Sequence, residues 1–355
     1  MPAAPPQLAR LFPYLLGLGF GTVGGALFAW LKLPLPWMLG AMTAGLLGAL
    51  FGLPLKGPAP LAAPMRAVLG VLLGASFTPE LVARAGELAA SLGFVLPYVV
   101  LSAALAIPYL RLVAGFDFKT AYFAAMPGGL NDMITLAHEA GADERRVALT
   151  HGARILLIVF AVPFLIEWVG GLDIDRSAAA AVGLNDLPWR EVVLLVACGV
   201  VGWFGAARLR LPGPTIIGPM LVSATVHLLG WSTAKPPDLL VALAQLILGT
   251  LIGSRFAGVR PAEVLRILGF GVGLAVVLLA VTFLFTSFLP GLIDQEPMGV
   301  FLAFAPGGLA ETTLIALALG IETAYVAVHH VLRIVLVIAL APWVFRLVAR
   351  WRHTT

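Results

Sequence analysis

The heptapeptide Pro127-Gly128-Gly129-Leu130-Asn131-Asp132-Met133 returns as Pro306-Gly307-Gly308-Leu309-Ala310-Glu311-Thr312, each copy set in a stretch apolar enough to lie in a membrane. The offset of 179 residues also carries Gly70 onto Gly249, Gly141 onto Gly320, His151 onto His330, Arg154 onto Arg333 and Pro163 onto Pro342. Matched alanines, valines and leucines arise by chance in any apolar chain. A Pro-Gly-Gly, a His and an Arg held in one register do not, so the chain is one unit written twice. The constraint on folding is severe. In hydrocarbon each unpaired backbone N–H or C=O is heavily penalised, so a helix breaker in mid-span is tolerable only where the freed groups face protein, water or a ligand.

Composition puts these breaks in lipid. The 355 residues are 60% hydrophobic and 11% charged, with a mean hydropathy of +1.01, whereas soluble domains are roughly a quarter charged. The expected fold is an all-α polytopic membrane protein of about 10 to 12 transmembrane helices. Periodicity is uninformative where every face is apolar, so charge, Pro and Gly place the segments. The first repeat, 1–170, predicts helices near 9–31, 36–53, 64–77, 91–113, 119–139 and 145–169. The second, 189–355, predicts them near 190–209, 214–231, 238–256, 264–289, 297–320 and 323–348. A polar linker, 171–188, carries Asp173, Asp175, Arg176, Asn185 and Asp186. The apolar run Leu11 to Trp30 reads as a retained helix and not a signal peptide, because its counterpart Val192 to Ala207 lies in mid-chain. Lys and Arg divide almost evenly between the two sides, which leaves open both the orientation and whether the crossings per half are odd or even.

Several function classes are excluded. A net charge of +4 scattered over loops offers no basic arm for nucleic acid. The single cysteine, Cys198, precludes an internal disulfide and a Cys-based zinc site. There is no phosphate-binding G-x-x-x-x-G-K-[ST] loop, and His151 with Arg154 at i and i+3 is not the i, i+4 His pair of a zincin helix. No catalytic residue, metal or cofactor is expected, and the chain does not read as an enzyme.

What remains is binding. A helix broken in mid-membrane offers free N–H donors at the start of its second half and free carbonyls at the end of its first. Pro127, Gly128, Gly129, Asn131 and Asp132, with Pro306, Gly307, Gly308, Glu311, Thr312 and Thr313, are the candidate substrate-binding residues. Asp132 and Glu311 alternatively cap the downstream half-helices. A carboxylate at mid-membrane is disfavoured by about 2.5 to 3.5 kcal/mol, which argues for a working role. Arg154 and Arg333 stand eleven residues beyond Asp143 and Glu322, about 16 Å along a helix and so near mid-bilayer. Each must meet an acid, backbone carbonyls or an anionic ligand. One reading is a salt bridge from Arg154 to Asp132 or Glu311; the other is a bidentate clamp on a substrate carboxylate. Asp132, Glu311, His151 and His330 are the candidates for ion coupling. Glycines spaced by four in the third segment of each half, Gly70 and Gly74 with Gly249 and Gly253, and in the first helix, Gly17, Gly21 and Gly25, read as helix-packing positions, and Leu33-Pro34-Leu35-Pro36 and Leu211-Pro212-Gly213-Pro214 as helix starts.

The duplicated Pro-Gly-Gly-Leu-x-acid motif, the paired His-x-x-Arg helices and the segment Leu33 to Ala41 resemble the membrane AbrB family over nearly the whole chain. That family shares its name with an unrelated small DNA-binding regulator, and members carry an ammonia monooxygenase label. The sequence holds neither a DNA-binding module nor the His and Cys set of a copper oxygenase. The resemblance implies a relative of bile-acid and sodium-proton antiporter folds: inverted repeats, broken helices crossing at mid-membrane around Pro127 to Asp132 and Pro306 to Glu311, and a homodimer in the inner membrane. The expected function is secondary, elevator-type transport of a small organic anion, such as a hydroxylated carboxylate, coupled to H+ or Na+. A membrane-embedded ligand sensor is the alternative. Ala310 and Thr312 replace Asn131 and Met133 in the second copy, so one half is expected to bind more directly.

Overall fold

The computed structural model describes residues 6–170, 183, 186–293 and 295–353, so Asp173, Asp175, Arg176 and Asn185 of the linker lie outside the described residues. The first repeat forms α1 (Pro6–Trp30), α2 (Pro36–Leu50), α3 (Ala59–Gly74), α4 (Pro79–Ala83), α5 (Ala85–Leu92), α6 (Val95–Leu112), α7 (Phe118–Ala125), α8 (Leu130–Glu139) and α9 (Glu144–Gly170). The second forms α10 (Trp189–Arg208), α11 (Pro214–Leu228), α12 (Asp238–Gly253), α13 (Pro261–Phe288), α14 (Pro297–Phe304), α15 (Leu309–Ala318) and α16 (Thr323–His353). No strand occurs among the described residues. Seven helical stretches are long and apolar enough to cross a membrane, and α2, α3, α11 and α15 are shorter apolar helices. The protein is an all-α polytopic membrane protein. Val193, Val196 and Phe204 of α10 and Val272, Val276 and Leu284 of α13 stand exposed, as hydrocarbon solvent permits and water does not.

The duplication recurs helix by helix. At the 179-residue offset α3 begins with α12, α7 and α8 coincide with α14 and α15, and α9 begins with α16. Pro36 and Pro214 sit in the first turns of α2 and α11, as expected, behind left-handed caps at Leu35 (φ 43°) and Gly213 (φ 54°). Both α8 and α15 stop at a left-handed glycine, Gly141 and Gly320 (φ 66° each). Ala142 N donates to Ala137 O and Ile321 N to Ala316 O, both at 2.9 Å, which closes each end as a Schellman motif. One expected boundary moves: α3 begins at Ala59 and not near 64, because Pro58 precedes it and Pro60 sits in its first turn, leaving Pro64 inside the helix. The helix expected at 119–139 and its counterpart at 297–320 are each divided, with Met126 to Gly129 and Ala305 to Gly308 non-helical.

Compactness follows a different division from the duplication. One compact unit comprises 1–77 with 171–266, the other 78–170 with 267–355, so each unit takes one part from each repeat.

The first unit is held by glycine against backbone. Gly40 of α2 faces the Gly24 carbonyl of α1, and Gly218 of α11 faces the Gly202 carbonyl of α10, so close that a Cβ would collide. Across repeats, Gly70 of α3 meets the Ile216 carbonyl of α11, and Gly249 of α12 meets the Met38 carbonyl of α2. These are the spaced glycines in the packing role expected of them. Trp37 lies against Gly25. Cys198 is buried with Val71, Leu195 and Val226.

The second unit contains both interrupted helices. Its packing is aromatic: Tyr98 meets Phe304 at 5.3 Å and Phe285 at 5.5 Å edge-on, and Phe123 meets Phe345 at 5.1 Å. Gly128 in the first break packs on Val337 of α16, and Gly307 in the second on Ile158 of α9. Ile158 and Val337 are themselves repeat equivalents, so each break rests on the other repeat's last helix.

Candidate functional site: two interrupted helices and their arginines

A helix that stops in a membrane leaves its last carbonyls without donors. In α7 these end at Met126, in α14 at Ala305, and both residues turn extended (ψ 129° and 138°). The donors come from the last helix of the same repeat. His151 Nε2 lies 3.0 Å from Phe123 O, and Arg154 Nη1 donates to Met126 O at 3.2 Å. In the second repeat His330 Nε2 lies 3.0 Å from Leu302 O, and Arg333 Nη1 donates to Ala305 O at 2.7 Å. Every one of these bonds spans 28 residues. Arg Nη2 also donates to the neighbouring His Nδ1, at 3.1 Å in the first repeat and 3.0 Å in the second. That bond places the imidazole proton on Nε2, where it serves the carbonyl.

The arginines thus meet backbone carbonyls. The described ion pairs include none from Arg154 or Arg333 to Asp132, Glu311 or any other acid. Both side chains are almost wholly enclosed, at 2% and 3% exposure, and each keeps a buried Nε–H with no hydrogen-bond partner. Their charges bear on one another. Two enclosed positive charges in no described ion pair are expensive in hydrocarbon, and a buried unpaired donor on a charged group adds to that.

The downstream half-helices start at Gly129 and Gly308, and in each the acid of the motif is the third helical residue. Asp132 and Glu311 fold back until a carboxylate oxygen lies against the N-cap glycine. That is the reach of a capping box, and the negative charge also suits the helix dipole. Both acids are partly exposed, as are Gly128, Gly129 and Gly308; Asn131 is exposed, while Pro127, Pro306 and Gly307 are buried. Thr312 is buried, its hydroxyl donating to Gly308 O at 2.6 Å and lying 3.0 Å from His330 Nε2. Thr313 donates to Leu309 O inside α15.

The match to known families follows this geometry. Residues 37–349 match the family described as "Transition state regulatory protein AbrB". The chain belongs to the AbrB family. Among its relatives, "Uncharacterized protein YhjN" of Bacillus subtilis (strain 168) is 31% identical over 297 residues, covering 79% of this chain and 76% of the relative. "Putative regulator AbrB" of Escherichia coli (strain K12) is 26% identical over 345 residues, covering 95% of this chain and 94% of the relative.

This AbrB-family chain holds polar groups that the sequence reading passed over. The Thr282 hydroxyl of α13 lies 3.2 Å from Phe304 O, 3.1 Å from Leu278 O of its own helix and 3.3 Å from Tyr98 Oη, which sets a hydroxyl at the second break. Ser91 bonds both Tyr325 Oη at 2.6 Å and His329 Nε2 at 2.8 Å, so the third histidine is held in a buried network of its own. A constant spacing of 28 residues from acceptor to donor was the available signal for the carbonyl contacts. A polar cavity of about 460 Å³ lies at the C-terminal end of α15, bounded by Arg84, Glu296, Gly320 and Glu322. It touches none of the motif residues.

Proposed function

We propose that this protein is a secondary active transporter of a small organic anion, working by alternating access and coupled to H+ or Na+. The observation that supports it is the pair of enclosed guanidinium groups, each at the carbonyl end of an interrupted helix, each with an unpaired Nε–H and neither in a described ion pair. An anion is the ligand such a site lacks. The unpaired donors would bond to it, and its charge would offset two that hydrocarbon disfavours. Asp132 and Glu311, partly exposed at the starts of α8 and α15, are the groups placed to take up the coupling ion. The reading assigns carriage of the anion to the unit that holds both breaks and leaves the glycine-packed unit as an elevator-type scaffold, in a homodimer with inverted repeats in the inner membrane. It is a carrier and not an enzyme; no resident metal, cofactor or nucleic acid enters the scheme.

Uptake of labelled organic acids into proteoliposomes under imposed proton and sodium gradients tests this. Uptake should follow one of the two gradients, and Asp132→Asn or Glu311→Gln should abolish that dependence while the protein stays folded. Unchanged coupling in both variants removes the acids from the scheme.

The word regulator in one relative's name favours a second reading, a membrane sensor that binds the same anion without moving it. Binding without counterflow in sealed vesicles would decide for the sensor.

A further inference from the structure

The two arginines are not equally committed. A guanidinium has five N–H groups. Arg333 uses three: Nη1 to Ala305 O at 2.7 Å, and Nη2 both to Gly307 O at 2.7 Å and to His330 Nδ1 at 3.0 Å. Both hydrogens of its Nη2 are taken. Arg154 makes two bonds, Nη1 to Met126 O at 3.2 Å and Nη2 to His151 Nδ1 at 3.1 Å, so one Nη2 hydrogen remains. Each arginine also has its buried, unpartnered Nε–H. In the planar fork Nε–H and the adjacent Nη2–H point the same way, and together they take a carboxylate through two parallel bonds. Arg154 alone has an uncommitted Nη2 hydrogen to go with its free Nε–H.

The surroundings differ in the same sense. At the second break the Gly307 carbonyl is claimed by Arg333, the Thr282 hydroxyl stands 3.2 Å from the Phe304 carbonyl, and His330 is joined by the Thr312 hydroxyl. At the first break Ala103 and Met133 stand where Thr282 and Thr312 would be, and the Gly128 carbonyl takes no bond from Arg154. Gly307 O lies 2.7 Å from its arginine's Nη2, and Gly128 O is its repeat equivalent, at the same position of a break whose arginine does not bond it. Asn131 is exposed, whereas Ala310, its counterpart, is buried at 8%.

We infer that Arg154, and not Arg333, receives the substrate's carboxylate, side-on through Nε and Nη2, while the Gly128 carbonyl accepts a hydroxyl hydrogen from the adjacent carbon. The substrate class is then a 2-hydroxy carboxylate. Arg333 is a positioning residue that keeps the second break shut. The inference rests on the transporter reading and deepens it.

The test uses the full-length protein, purified in lipid nanodiscs, with melting followed by tryptophan fluorescence. Glycolate, lactate and malate are titrated against acetate, chloride and sulfate. In the wild type the hydroxy acids should raise the melting temperature at lower concentration than acetate. Arg154→Lys should weaken them by about tenfold or more, the equivalent of one charge-assisted hydrogen bond. Arg333→Lys should lower the unliganded melting temperature and weaken the hydroxy acids less than Arg154→Lys does. Should Arg154→Lys fail to fold, Met133→Thr supplies the alternative. It places at the first break the hydroxyl that Thr312 supplies at the second, and a first break made to resemble the second should weaken hydroxy-acid binding. Hydroxy-acid affinity unchanged in Arg154→Lys or in Met133→Thr, or acetate binding the wild type as tightly as glycolate, overturns the assignment and leaves anion transport standing. A wild type that none of these anions stabilises overturns both.

Discussion

The two compact units solve the same problem by opposite chemistry. In the first, helices approach through glycine: Gly40, Gly70, Gly218 and Gly249 each bring one backbone against a carbonyl of the next, and side-chain bonds such as Ser223 Oγ to Val71 O, at 2.8 Å, are an addition to that contact. In the second, helices are interrupted, and long polar side chains reach across to the exposed ends, His151 and Arg154 in one repeat and His330 and Arg333 in the other. Both units keep buried polar atoms without a partner, Thr250 and Arg255 among them in the first. Only in the second do such atoms belong to the side chains that serve the interrupted ends, the Nε–H groups of Arg154 and Arg333. The same duplicated sequence supplies both, because the division between units falls inside each repeat and not between them.

That contrast can be broken from either side. The largest effect is expected at Gly40 or Gly218. Leucine there has no space against the Gly24 or Gly202 carbonyl, and helix packing should be lost at about 3 kcal/mol or more, the upper range for overpacking; a normal melting temperature in either variant would mean that the glycine contacts do not hold the unit. Next comes Arg333→Met, which strips the donors from Ala305 O and Gly307 O. Each orphaned carbonyl costs about 1 to 3 kcal/mol, part of it recovered by removing a buried charge, so a net loss near 2 kcal/mol is expected in thermal unfolding. A gain would show that the charge is carried for function alone.

A smaller effect lies at the start of α7, where Asp117 accepts from Thr120 N at 3.1 Å. Partial burial pushes its carboxyl up, but the hydrogen bonds from Thr120 and the Lys119 backbone outweigh that and hold it below the usual carboxylate range. A lowered folded-state pKa stabilises above the unfolded value, about 3.9, and the benefit is lost as pH falls through the folded one. Asp117→Asn keeps a good cap and should flatten this acid limb; a pH profile of melting identical to the wild type would refute the linkage. The smallest effect is at His138 and Glu144, a pair 2.5 Å apart and largely exposed. Glu144→Gln should leave the melting temperature unchanged, as solvent-exposed pairs generally do.

The sequence carried what the backbone dictates. Pro36, Pro214 and the two Pro-Gly-Gly triplets act through dihedral angles and missing N–H groups, so their effects are local and legible as helix starts and breaks; Pro64, inside α3, shows the limit, since Pro60 had already begun the helix. The arginines were placed near mid-membrane by counting residues, but their partners are carbonyls, and one carbonyl is chemically the same as any other until the fold selects it. The interleaved units were likewise hidden, because nothing local says that Gly70 will meet Ile216 in the other repeat.

Each repeat brings its own rescue for its own broken rod, a histidine and an arginine each 28 residues beyond the carbonyl it serves. A single copy of the unit is therefore self-contained in these bonds, and what it takes from the other copy is surface: Val337 as the seat for Gly128 and α11 as the groove for Gly70 of α3. Two copies in one chain can then drift apart in the rest of their contacts, as the bond from Arg333 to Gly307, which Arg154 does not repeat, shows.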